Sequence, residues 1–146
     1  MKNLYAEMKA RQQERVNALP LMFAFSQQQF NEGMAKLGLE PNDTNLITSI
    51  GAGGFIRKSD IPLFNETMES LEIEAQAAID EDTDGTGFIK DMFFYELANH
   101  EYCITYDLEP TLDALNLTED QVLESPKLMK GLKLAREEYL RSCNEY

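Results

Sequence analysis

Leu46-Ile47-Thr48-Ser49-Ile50, Gly51-Ala52-Gly53-Gly54 and Phe55-Ile56-Arg57-Lys58 follow one another without a break, and their reading decides the fold class. The flanks are rich in β-branched and aromatic residues, and the glycines between them suit a tight turn, so the stretch predicts a β-hairpin. Glycine runs also cradle phosphates, but such a loop leads into a helix and carries a Gly-Lys-Ser/Thr. Here the glycines lead into Phe55-Ile56-Arg57, which is β-like, so the turn is the better reading. No other stretch reads as a strand. The expected fold is mainly α, a compact helical domain with one small β-hairpin (α+β), forming a single acidic helical domain over 1–146.

Outward from the hairpin the pattern is helical. On the N-terminal side, Leu4, Met8 and Val16 have helical spacing and Pro20 stops the run, which predicts a helix over 3–18. Ser26 is an N-cap for a helix through Leu37, with Gly38 as its stop. Phe23-Ala24-Phe25 and Phe30 are expected in the core. On the C-terminal side, Ser59 is expected to cap a long helix ending near Asp80, with Phe64, Met68, Leu71, Ala75 and Ala78 on one apolar stripe. A further helix starts near Lys90 and includes His100 and Tyr102. Pro110 opens a short one through Leu115, Thr118 caps another, and Ser125-Pro126 starts an amphipathic helix ending near Cys143.

The 146 residues carry 26 acidic and 13 basic side chains, a formal net charge of −13. A chain this acidic is repelled by nucleic acid and anionic membranes, and its natural partners are basic surfaces. The charge is uneven. Residues 66–124 hold 17 carboxylates against Lys90 alone, a net −16, whereas 1–30 and 126–146 each carry a net +2. The acids are interleaved with apolar residues, which marks a folded acidic body and not a disordered tail. The basic ends are expected to pack beside that body or against the acidic face of a second copy, as in a homodimer. No apolar run reaches the roughly 20 residues of a membrane span. Two cysteines, no Cys-x-x-Cys and a single histidine exclude a disulfide scaffold, a zinc finger and a His-rich metal site, and point to a reducing cytoplasm.

Asp82-Thr83-Asp84-Gly85-Thr86-Gly87-Phe88-Ile89 is the strongest local motif and looks like the start of an EF-hand calcium loop. Asp82, Asp84 and Thr86 fall at its first, third and fifth positions, and Gly87 at its glycine. Position 12 is Phe93, where a bidentate glutamate is needed. A register starting at Asp80 ends on Asp91 but puts Gly87 at the apolar position. The alternative is an acidic turn between two helices. Glu96 and His100 form an i, i+4 pair that reads as a surface ion pair. Cys103 and Cys143 have no histidine base beside them, and the sequence shows no catalytic constellation.

Asn17-Ala18-Leu19-Pro20 with Phe23-Ala24-Phe25-Ser26, Ser49 to Lys58, and Asp91 to Tyr102 together resemble an uncharacterised family of small acidic proteins from bacterial mobile elements and phages. The family brings no catalytic residues. Size, acidity and lack of catalytic chemistry also give the chain a class likeness to anti-CRISPR and other counter-defence proteins. The resulting expectation is a non-enzymatic inhibitor in the host cytoplasm. Its acidic DNA-mimic surface would occupy the basic nucleic-acid groove of an RNA-guided DNA nuclease such as a CRISPR effector, without binding nucleic acid or membrane itself. Carboxylates three or four residues apart on a helix lie about 5–6 Å from one another, close to the spacing of phosphates along a strand. Glu66, Glu69, Glu72, Glu74, Asp80 and Asp84 are the first choices for that face, and Asp107, Glu109, Asp113, Glu119, Asp120 and Glu124 the second. The alternatives are a calcium-binding EF-hand-like regulatory domain using Asp82, Asp84 and Thr86, and a structural or regulatory partner protein of a mobile element. No cofactor other than calcium is expected.

Overall fold

The structure, a computed structural model, describes residues 2–144. It contains eight α-helices and a three-stranded antiparallel sheet. They are α1 (Leu4–Asn17), β1 (Leu21–Phe23), α2 (Gln27–Lys36), β2 (Ile47–Gly51), β3 (Gly54–Arg57), α3 (Ile61–Glu81), α4 (Phe88–Asn99), α5 (Tyr102–Thr105), α6 (Glu109–Ala114), α7 (Glu119–Glu124) and α8 (Pro126–Cys143). The protein is mainly α with a small sheet. None of the described helices is long and apolar enough to cross a membrane. The chain divides into two compact units, one comprising Arg11–Ile73 and the other running through Ala10 and again from Glu74 onward.

The unit Arg11–Ile73 holds the sheet. The predicted hairpin is β2–β3, and Ala52 and Gly53 between its strands both have positive φ, 52° and 79°. That pair of angles is the two-residue turn whose twist matches the strands. The sheet has a third member that the sequence reading omits. β1 pairs with β3 in the order β1-β3-β2, with Met22 opposite Phe55. Its three residues fall below the length at which alternation becomes visible. Met22, Met34, Leu37 and Ile47 form the core here, with Phe30 packed against it. Phe23 and Phe25 are not core residues, contrary to expectation: Phe25 is 78% exposed. Their rings lie over the turn instead, where a Cβ on Gly53 would meet Phe25 at 2.5 Å and one on Gly54 would meet Phe23 at 2.9 Å. Ser26 caps α2 as expected. Ser59 does not cap α3; it lies in a 3-10 turn, Lys58–Asp60, that precedes it. Met68 of the expected stripe is exposed.

In the other unit, α4 is the most buried element, with Ile89, Met92, Phe93 and Leu97 closed off from solvent. It packs along α8, and Leu128, Leu132, Ala135 and Tyr139 of α8 join the same core. The basic N-terminal segment packs beside this acidic body: Asn3 Nδ2 donates to the Asp91 carbonyl at 3.0 Å, and Leu4 N–H donates to Asp91 Oδ2 at 2.8 Å. On α8, Lys127 Nζ donates to the Ile79 carbonyl at 2.9 Å, capping the C-terminus of α3, and Lys90 pairs with Glu138. α4 stops at Asn99, before His100 and Tyr102. The chain turns at Glu101, φ +53°, and again at Tyr106, φ +54°, so α5 is a single turn between two left-handed residues. Each such residue costs on the order of 1–2 kcal/mol in that region.

Candidate functional site

The acidic residues named from the sequence become two groups of surface carboxylate. The first lies on α3. Glu66, Glu69 and Glu72 belong to the unit Arg11–Ile73, are exposed, and have no cation within ion-pair distance among the described residues. Farther along α3, Glu74 is half-buried and engaged in a contact of its own. Asp80 accepts a hydrogen bond from Gln76 Nε2 at 2.9 Å.

The second group surrounds a cleft of about 470 Å³ whose walls carry Asp107, Glu109, Asp113 and Glu119 over Leu112 and Leu117. Local signals build it. Asp107 Oδ1 accepts from the Glu109 N–H at 3.0 Å at the start of α6, where Pro110 fits the first turn. Leu117 N–H closes back onto the Leu112 carbonyl at 2.9 Å after Asn116, which turns the chain with φ +55°. Thr118 then caps α7 in a reciprocal box with Gln121, at 3.1 Å and 2.8 Å. The result is a cleft lined, among the described residues, by four carboxylates and no basic residue. Asp120 and Glu124 are exposed on α7 nearby in sequence.

Asp82, Asp84 and Thr86 form a tight turn. The two Asp82 oxygens accept the backbone N–H groups of Gly85, Gly87 and Ile89 at 3.0, 3.1 and 2.9 Å, which satisfies the amides entering α4. Asp84 Oδ1 accepts from the Thr86 hydroxyl at 2.6 Å and its N–H at 3.0 Å, and these bonds hold the Asp84 carboxyl below its usual range. Phe93, at the position of the calcium loop's last ligand, is buried in the core. Among the described residues no group of three or more His, Cys, Asp or Glu side chains is clustered to hold a metal ion. Gly85 is required by its surroundings: φ is +87°, and a Cβ would lie 2.0 Å from the Lys127 carbonyl oxygen.

The chain matches the model of a family of unknown function, DUF7659, over residues 4–138. It belongs to that family. No curated protein and no solved structure is similar to it.

This DUF7659 member also carries a polar cluster that its sequence conceals. Glu96 is 1% exposed, so its pairing with His100 is an internal contact and not the surface ion pair expected. Tyr5 Oη donates to Glu96 Oε1 at 3.2 Å, Lys9 Nζ lies 3.8 Å from the same oxygen, and His100 Nε2 lies 3.2 Å from Oε2. Burial first, and the Glu96 charge second, push the Tyr5 phenol well above its usual range. Lys9 also lies 5.5 Å and 5.9 Å from the ring centres of Tyr5 and Tyr95. The i, i+4 spacing of Glu96 and His100 was visible in sequence, but the partners on α1 are not recoverable from local pattern. With its oxygens enclosed, Glu96 ties α1 to α4 and presents nothing to a substrate.

Proposed function

We propose that the protein is a non-enzymatic inhibitor that binds a basic, nucleic-acid-binding groove of a partner protein through exposed carboxylates, in the manner of a DNA mimic. An RNA-guided DNA nuclease of a bacterial defence system is the partner class that best fits the chain's size and charge. One observation carries this reading. Of the twelve carboxylates chosen from the sequence, eleven are exposed, and none of those eleven has an ion-pair partner among the described residues. Charges left unpaired repel one another in the free protein, and a cationic groove relieves that repulsion. The four carboxylates around the α6–α7 cleft give the surface a shaped acidic element where lysine or arginine can insert.

The test is capture from a bacterial host extract on immobilised protein, with salt elution and mass spectrometry. The expected captive is a basic nucleic-acid-binding protein that elutes at moderate salt and is displaced by competing DNA. Two variants locate the surface: Glu66→Lys/Glu69→Lys/Glu72→Lys on α3, and Glu109→Gln/Asp113→Asn/Glu119→Gln at the cleft. Asp107 is spared because its carboxylate accepts the Glu109 N–H at the start of α6. Each exposed substitution should change stability by less than about 0.5 kcal/mol. At least one variant should lose the captive at least about tenfold while its circular dichroism is unchanged. If both folded variants retain it equally, the carboxylates only solvate the surface and the reading fails.

A further inference from the structure

Cys103 on α5 and Cys143 in the last turn of α8 both pack against the α4–α8 core. Tyr139 stands one turn before Cys143 on α8, and its hydroxyl donates to Cys103 Sγ at 3.1 Å. The Cys103 N–H donates to that same hydroxyl oxygen at 3.5 Å. Cys143 lies one helical turn on from Tyr139 on the same face of α8, close enough to Cys103 for each thiol to shift the other's proton affinity. Both thiols are free and half-buried, and both pack against the same apolar core.

From this juxtaposition we propose that Cys103 and Cys143 are a redox pair that closes to an intramolecular disulfide by exchange with a low-molecular-weight disulfide. Closure staples α5 to the last turn of α8. The environment assigns the roles. Cys143, followed by the hydrogen bond from Tyr139, draws the Cys103 thiol below its usual range against the opposing Glu101 carboxylate. Cys103 in turn pushes Cys143 up. Cys103, whose sulfur accepts the Tyr139 hydroxyl at 3.1 Å, is therefore the attacking thiolate, since the thiolate is the nucleophile in exchange. Its sulfur attacks one sulfur of R–S–S–R, forming Cys103–S–S–R and expelling RS⁻. The Cys143 sulfur then attacks the Cys103 sulfur of that mixed disulfide, forms the Cys103–Cys143 bond and expels the second RS⁻. The two thiol protons end on the two departing thiolates. Two protein thiols are oxidised and one external disulfide is reduced to two thiols.

The staple falls where it has most to hold. α5 is one turn bounded by the left-handed residues Glu101 and Tyr106, and Ile104 and Tyr106 are 72% and 67% exposed. Such a segment opens more readily than the packed helices.

Oxidised glutathione is the probe. The full chain is treated with it, quenched with a maleimide, and examined by intact mass and non-reducing peptide mapping. The expected product has lost the mass of two hydrogens, takes up no maleimide, and yields one linked peptide pair containing Cys103 and Cys143. Amide exchange over Glu101–Tyr106 should slow in the oxidised chain. Cys143→Ser should stop at a single glutathione adduct on Cys103, and Cys103→Ser should form no intramolecular disulfide and carry at most one adduct, on Cys143. The unsubstituted chain decides the matter without any variant. Two maleimides per chain after treatment, glutathione on both thiols, or disulfide-linked dimers would each overturn the proposal.

Discussion

Tyr5 and Tyr139 are buried phenols whose hydroxyls are committed as donors, Tyr5 to Glu96 and Tyr139 to Cys103. Burial is the main reason that both titrate far above the usual 10.0, with the Glu96 charge adding to it at Tyr5 and the bond to Cys103 at Tyr139. The folded state thus prefers the protonated phenol more strongly than the unfolded chain does. That contribution is fully present below about pH 10 and is lost as pH rises above it. Phenolate absorbance and far-ultraviolet circular dichroism followed together through alkaline pH check this. The last phenolate absorbance to develop should appear only as the helical signal falls. A complete phenolate titration of the folded chain near pH 10 would show that these hydroxyls are not enclosed. Neither position announces this in the sequence. Tyr5 meets Glu96 across 91 positions and Tyr139 meets Cys103 across 36, so only the tertiary fold brings each donor to its acceptor.

Ala52 lies in the left-handed region at φ +52° in the β2–β3 turn, exposed, with Gly53 beside it. Asn-Gly is the pair this turn prefers, because asparagine tolerates that conformation and alanine does not. Ala52→Asn should stabilise the protein by about 0.5 kcal/mol, read as a higher denaturant midpoint at unchanged slope. A lower midpoint would mean that the turn is not of this type. The hairpin itself was legible because glycines and β-branched residues announce turn and strands locally. The caps of α2, α7 and α8 were legible for the same reason, since Ser26, Thr118 and Ser125 each act on an amide three residues on. β1 was not, because three residues carry no period and its pairing with β3 is a tertiary fact. Phe23 and Phe25 were misplaced because aromatic rings read as core wherever they occur, while here they cover the turn glycines. The break after Asn99 was missed because residues 99–102 carry neither Gly nor Pro, and Glu101 adopts a conformation for which no sequence signal exists. The acidic cleft lies between these cases: its caps were readable, but the meeting of α6 and α7 around one hollow was not.

Across the molecule the dominant fact is charge, and it was legible by counting alone. Counting treats every carboxylate as surface, which among the described residues fails only for the enclosed Glu96 and overstates the half-buried Asp43, Asp60, Glu74, Asp82, Asp91 and Glu138. The whole chain carries a net −13, with few exposed ion pairs among the described residues to offset it. Repulsion among fixed like charges raises the free energy of the compact state, and unfolding relieves it by spreading them apart. Raising monovalent salt from about 0.01 M to 0.1 M shortens the screening length from about 30 Å to 10 Å, which is shorter than many of the separations involved. Glu96, with Lys9 and His100 beside it, is the one buried carboxylate in ion-pair contact among the described residues, and those contacts are little affected by that change. The melting temperature should therefore rise with sodium chloride, by a few degrees for each kcal/mol of repulsion removed. A fall would mean that screened attractions outweigh repulsions and that the surface is paired in ways the exposed carboxylates do not suggest. Magnesium and calcium at equal concentration extend the same measurement. Both carry two charges, so screening alone gives equal shifts, and the Asp82 turn already satisfies its own amides. An excess stabilisation by calcium, abolished by Asp84→Asn, would establish an ion at that turn and add a calcium-dependent element to an otherwise electrostatic protein.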